Sequence, residues 1–459
     1  MVGDHGVVSR RRADSWGTTI RDGFRTQLWP LPAATVAVAV AVGAALPRAE
    51  SAYDGLLPQG LRDYLFSGGA DAARTVLDAV ASSLITVTAL TFSLTVVTLQ
   101  LASSQFSPRL LRTFTRDLVV QSTLGLLLGT FAYALTVLRT VRTAAPGRPE
   151  FVPDLSVTLG YLLAVVSVIG LILFLAHLAR TIRVESMLRS VHEDASTLID
   201  RTLSPSDAVP QQFADLVPTG HARLIRAVSS GFLVRILEED LLREAVAADG
   251  VVVVEVCPGA SIVSGVPIGA VFRRGDAAEE LSDETVATVA GALVTGFERT
   301  DVQDVSFGLR QLTDVAVKAL SPGINDPTTA IHALGHSSAL LGALAAHDLG
   351  PRVLRDGEGG VRVVLARADL GAMLHLALDQ VARYGSSEPA VLVRCFQLLR
   401  ELAWVCRPHQ RPAVTAELTR LRRLVDQQEL DVEDREGLAG CAEQVDAALR
   451  GSWEMETRS

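Results

Sequence analysis

The chain has 459 residues, 49% of them hydrophobic, with a mean hydropathy of +0.31 and a formal net charge of −9, enough apolar material for a membrane block beside a separate soluble domain. The charge is unevenly divided, with 14 arginines against 11 acids up to Ala179, and 28 basic against 40 acidic residues from Arg180 onward. An acidic soluble part excludes the concentrated positive surface that nucleic-acid binding needs.

Four apolar stretches are long enough to cross a bilayer, at about Trp29–Leu46, Val80–Leu101, Leu118–Leu138 and Leu155–Leu178. Residues 29–179 therefore read as a transmembrane block behind a cytoplasmic N-terminal segment, 1–28. A cleaved signal peptide is the rival for the first stretch. Its charged leader is long and Arg10–Arg12 lie far from the apolar run, so the span is expected to be retained. With the N-terminus inside, the cytoplasmic flanks hold eleven arginines and the outer loops six, which orients both termini toward the cytoplasm of a bacterial inner membrane.

The second stretch is the most informative. On a helix, Ser82, Thr86, Ser93, Gln100 and Ser104 fall on one face, and Thr88, Thr91, Thr95 and Thr98 lie roughly opposite. The first face is the candidate lining of an ion or solute path, where hydroxyl and amide groups replace hydration. Equally, such residues can bond back to their own helix or to neighbouring spans. No charge lies between Ala79 and Leu101, which disfavours a proton relay. Gly125 and Gly129 in the third span, and Gly160 and Ala164 in the fourth, have the spacing that lets helices approach closely, within one chain or between copies.

After the spans, residues 180–220 read as a connecting helix and a linker punctuated by Pro205, Pro210 and Pro218, and 221–459 as a soluble cytosolic domain. His221–Ala248 reads as a helix. Gly250–Gly275 is β-rich, with hairpins at Pro258-Gly259 and Gly265–Pro267. It resembles half of a lipoyl-like hairpin but lacks the lysine-bearing turn, so no swinging cofactor is inferred. Leu281–Thr300 and Gln303–Leu320 read as helices.

The segment Leu320–Ala330 follows, LSPGINDPTTA. Asp326 can N-cap the next helix with Pro327 at its first position. The alternative is an anion or ligand loop built from Lys318, Ser321, Gly323, Asn325, Asp326 and Thr328. His332 and His336 have the spacing of a metal pair, but no third ligand can be named and no metal site is expected. The remainder reads as a short strand pair, Arg352–Leu365, and helices at about Asp369–Tyr384, Pro389–Cys406, Pro412–Gln428 and Val432–Leu449. Cys257, Cys395, Cys406 and Cys441 lack metal spacing and read as thiols of a reducing compartment. No catalytic constellation can be assembled, so no catalytic residue and no cofactor is assigned.

Two segments, ALTFSLTVVTLQLASSQFSPRLLRTF (Ala89–Phe114) and QDVSFGLRQLTDVAVKALSPGINDPTTA (Gln303–Ala330), resemble the hallmark segments of a bacterial family, domain of unknown function 2254. The Tyr384–Pro389 stretch and the Gly259–Ile268 hairpin are similar to it as well. That resemblance implies an integral membrane protein with a soluble C-terminal domain and transfers no site residue. The fold expected is mainly α, a four-helix transmembrane block followed by a mostly helical α+β domain with a small β-hairpin unit. The function expected is an oligomeric channel or transport-like protein with a cytosolic gating domain, its partners the lipid bilayer and further copies of itself. The alternative is a non-transporting scaffold or sensor whose cytosolic domain binds an unknown partner or ligand. Nucleic acid is not an expected partner.

Overall fold

The structure is a computed structural model that describes residues 29–52, 65–105, 117–144, 150–181, 183–206, 208–274 and 281–453. It divides into two units, Met1–Arg183 and Val184–Ser459.

The N-terminal unit is built from α1 (Pro30–Ala52), α2 (Ala70–Gln105), α3 (Leu118–Leu138) and α4 (Asp154–Thr181). Each carries a window long and apolar enough to cross a membrane. The most buried is α3, which packs against the other three. Its glycines explain the close fit. Thr35 of α1 lies against both Gly125 and Gly129, so a Cβ at Gly125 would collide with the Thr35 hydroxyl. Gly160 of α4 faces Leu77 and Tyr133. The small-residue faces are therefore used inside one chain.

Polar contacts tie the helix ends. Glu50 Oε1 accepts from the Ser156 N–H and hydroxyl, both at 2.7 Å. Glu150 Oε1 accepts the Ala70 N–H at 2.8 Å. At the opposite end Asp117 caps α3 through the Val119 N–H and meets His177 Nε2 at 2.5 Å. In the middle, Thr130 and Ser167 share a buried hydrogen bond of 3.1 Å between α3 and α4.

The C-terminal unit opens with α5 (Val184–Thr202) and a single turn α6 (Phe213–Leu216). Then come β1 (Ala222–Arg226), β2 (Gly231–Ile236), α7 (Glu238–Ala247), β3 (Gly250–Val254), β4 (Ser261–Ile262), β5 (Pro267–Arg273), α8 (Asp283–Gly291) and β6 (Leu293–Gly296). The chain continues through α9 (Phe307–Ala319), α10 (Pro327–Ala345), β7 (Arg352–Arg355), β8 (Val361–Leu365), α11 (Leu370–Tyr384), α12 (Pro389–Val405), α13 (Arg411–Asp426) and α14 (Val432–Leu449). A five-stranded sheet has the order β1-β5-β3-β8-β7, and a second sheet the order β4-β2-β6. The β3–β8 pair is parallel, with Val252 opposite Val363; the other pairings in both sheets are antiparallel. All five residues of β3, GVVVV, are buried, as a central strand covered on both faces requires.

Three sequence expectations change here. The stretch read as a helix from His221 to Ala248 is β1, β2 and then α7. Its apolar spacing imitates a helix, but β1 pairs with β5 and β2 with β6, and the turn between them ends at Gly231 with φ +147°. The helix expected over Leu281–Thr300 stops at Gly291, and Leu293–Gly296 extends beside β2 instead. The β-rich segment does pair β3 with β5, but β4 between them joins β2 in the other sheet.

Candidate functional site

The polar residues of α2 separate as the periodicity requires. Leu77, Ala81, Leu84, Thr88, Thr91, Thr95 and Thr98, spaced alternately four and three, form one buried seam within the unit. Each of the four threonines donates its hydroxyl to the carbonyl four residues earlier, at 2.6–2.9 Å. Ala79, Ser82, Thr86, Ala89, Ser93, Val96 and Gln100, spaced alternately three and four, run along the opposite side and are all exposed. Ser82 and Thr86 bond back to Asp78 and Ser82 carbonyls, whereas Ser93 and Gln100 have no hydrogen-bond partner among the described residues. The side chain of Ser104 lies outside the described residues.

The exposed side of α4 is different. It shows Leu162, Val166, Ile169, Ile172 and Leu173, while its serines Ser156 and Ser167 are fully buried. The exposed side of α2 is apolar as well, with Ile85, Leu90, Phe92, Val96 and Val97, and differs in setting hydroxyls and an amide among them.

In the loop before α10, Asp326 is the N-cap. Its Oδ1 accepts the Thr329 N–H at 3.1 Å and its Oδ2 the Thr329 hydroxyl at 2.6 Å, with Pro327 opening the helix. Those bonds hold its carboxyl below the usual range. Asn325 takes the left-handed conformation, φ +50°, and Ser321 donates to the Lys318 carbonyl at 2.6 Å. Gly323 and Thr328 are exposed. The carboxylate thus sits at the helix start, and the cap accounts for Asp326, Pro327 and Thr329. His336 stacks near His192 of α5, ring centroids 5.2 Å apart, and His332 is exposed. Among the described residues no group of three or more acidic, His or Cys side chains is placed to hold a metal.

Sequence reasoning missed a cavity of about 680 Å³ in the C-terminal unit. It opens at the carboxyl ends of β3 and β8, where Cys257-Pro258 and Ala366–Ala368 leave the sheet, and the loop Val302–Ser306 closes its side. That loop is held firmly. Gln303 Oε1 accepts the Ile236 N–H at 2.7 Å and its Nε2 donates to the Ile236 carbonyl at 3.1 Å. Asp304 is buried, bonded to Arg299, to the Ser306 N–H at 3.1 Å and to the Ser306 hydroxyl at 2.7 Å. Gly259 packs on this pair with φ +87°, and a Cβ there would overlap Asp304 and lie 2.6 Å from Arg299 Nε. The signal in the sequence was the QDVS opening of the second hallmark segment, which these contacts now explain.

Four bilayer-length apolar helices, followed by an α+β unit with a walled cavity, define the class, a predicted membrane protein with a large C-terminal α+β unit. The chain belongs to the DUF2254 family, described as predicted membrane proteins, which its residues 25–401 match. Uncharacterised proteins of Mycobacterium bovis and Mycobacterium tuberculosis are 35% identical to it over 444 residues, 95% of this chain and 82% of theirs. No solved structure matches.

Proposed function

We propose that the protein is a homo-oligomeric channel or transport-like protein of the bacterial inner membrane, its copies meeting along the outer face of α2. The observation that carries this reading is the second seam. A helix bearing two heptad-spaced faces on opposite sides has one face occupied by its own unit and the other open. Small residues on the open face allow a second backbone to approach, and Ser93 and Gln100 gain partners there. In a ring of copies the same face turns Ser82, Thr86, Ser93, Gln100 and Ser104 toward the axis, as hydroxyl and amide groups that replace hydration. The C-terminal unit is then the regulatory part, in the cytoplasm with both termini, in keeping with the arginine distribution.

Two measurements test this. Ser93→Cys should cross-link between copies under mild oxidation in membranes, in conditions that leave the wild type monomeric, and Thr91→Cys on the inner seam should not. Proteoliposome flux should vanish in the Ser93→Leu/Gln100→Leu double variant. No Ser93→Cys cross-link rules out the contact, and flux unchanged in the folded double variant rules out the path. The second reading, a non-transporting sensor, is favoured by the cavity of the C-terminal unit and is the one that remains if the α2 tests fail.

A further inference from the structure

We propose that the cavity at the ends of β3 and β8 is a binding site for a small organic anion, a molecule with a phosphate or carboxylate group and an apolar body. The inference stands independently of whether copies assemble along α2.

The volume, about 680 Å³, is that of a small-molecule site. Its wall is mixed, with Ile236, Leu349, Leu365 and Met373 supplying apolar surface and arginines supplying charge. The position has a structural cause. Two parallel strands deliver their carboxyl ends to the same edge, and the chains leaving them diverge, which opens a crevice there.

The charge balance decides the ligand class. Of the acids on the wall, Asp304 is spent on Arg299 and Ser306, Asp240 on Arg243 at 2.8 Å, and Glu238 on Arg352 at 3.3 Å. Arg201, Arg235 and Arg367 have no carboxylate within ion-pair distance among the described residues; Glu239 lies on the same wall, and Glu238 and Asp348 act on Arg367 from further away. The surplus is therefore positive in a unit whose overall charge is negative.

Arg367, the second residue beyond β8, is the central case. It is half-buried, and its one hydrogen bond runs from Nη2 to the Thr202 carbonyl at 3.4 Å. A guanidinium offers five donors in a fork that matches phosphate and carboxylate oxygens. Burial, reinforced by Arg352, pushes its pKa down, the cost of desolvating a cation that Glu238 and Asp348 offset only in part. An anion in the cavity removes that cost.

Cys257 on the same wall provides a reporter. It is half-buried, Cys441 is half-buried outside the cavity lining, and Cys395 is buried and reports unfolding. The test is alkylation of the full-length protein in detergent with N-ethylmaleimide, read for each cysteine by peptide mass spectrometry. It is run with pyrophosphate, adenosine monophosphate, citrate or decanoate at millimolar concentration. At least one of these anions should slow Cys257 alkylation about fivefold or more and leave Cys441 unchanged. Protection by the phosphates or by the carboxylates then identifies the anionic group. Arg367→Met should abolish protection while Cys395 stays unmodified, and Arg367→Lys should retain part of it. If Arg367→Met exposes Cys395, Arg235→Gln replaces it and should weaken protection. Failure of all four anions to protect Cys257, or full protection in a folded arginine variant, overturns the proposal.

Discussion

Glu50, near the end of α1, caps α4 in trans, its Oε1 accepting both the N–H and the hydroxyl of Ser156 at 2.7 Å. One carboxylate thus satisfies the first turn of a helix that begins more than a hundred residues later in the chain. Tyr133 of α3 donates its hydroxyl to the Ser156 carbonyl at 3.0 Å, so three helices converge on one serine. Glu50→Ala should lower stability by about 1 kcal/mol, the usual loss for an N-cap, seen as a lower thermal midpoint in detergent. Glu50→Gln keeps an acceptor and should lose less. An unchanged midpoint in the alanine variant would mean that α1 does not hold α4.

The hydroxyls of the N-terminal unit divide into those that join helices and those that serve their own. Thr130→Val removes the bond to Ser167 and should cost about 0.6 kcal/mol, a typical interhelical value. Thr95→Val removes only a bond to the Thr91 carbonyl and should cost less. Unfolding in a denaturing detergent ranks the two, and the reverse order would refute this division.

Gly259 is fixed by two independent demands, a left-handed backbone and the absence of space beside Asp304 and Arg299. Gly259→Ala should destabilise the C-terminal unit by about 2 kcal/mol or more, read as an earlier urea transition of that unit. A transition at the wild-type position would show that the loop yields without cost.

The Asp326 cap has its own pH signature. Its carboxyl lies below the ordinary value in the folded chain through the Thr329 hydroxyl and N–H. Its contribution is therefore full above about pH 4 and lost as pH falls through the folded value. Asp326→Ala should cost about 1 kcal/mol at neutral pH and show a smaller acid loss than the wild type. Equal stability of the two proteins at pH 7 would return the loop to the list of ligand sites.

Burial, with His192, His332 and Arg189 around it, holds the pKa of His336 below that of a free imidazole. The unfolded chain then takes up the proton first. The stabilising contribution is complete above about pH 6.5 and is lost as pH falls toward the folded value. His336→Gln should flatten the fall in the urea midpoint between pH 7 and 5. An unaltered slope would assign that fall to other groups.

Much of this was legible in the chain. Length and hydropathy marked all four apolar helices, Leu118–Leu138 to the residue, because bilayer-length apolar runs leave few alternatives. The Asp326-Pro327 start of α10 and the Asp356–Gly360 turn between β7 and β8 follow from local capping and turn chemistry. The strands β1, β2 and β6 were hidden because their partners decide their state, and Arg223, Leu233 and Val294 fit a helix until β5, β6 and β2 respectively are beside them. The cavity was hidden for the same reason. Arg235, Cys257, Asp304 and Arg367 come from four separate segments, and no spacing along the chain connects them.

The parallel pairing of β3 with β8 also has a consequence for biogenesis. Val252 waits for Val363, about 110 residues further along, and translation at roughly 5–20 residues per second separates them by about 6–20 s. Until then β3, four consecutive valines, has an unmatched edge. The antiparallel partner β5, Pro267–Arg273, follows after a short excursion through β4 and covers one side early. The other side stays open until the ribosome has passed α9 and α10, a window in which that apolar edge is a template for wrong pairing.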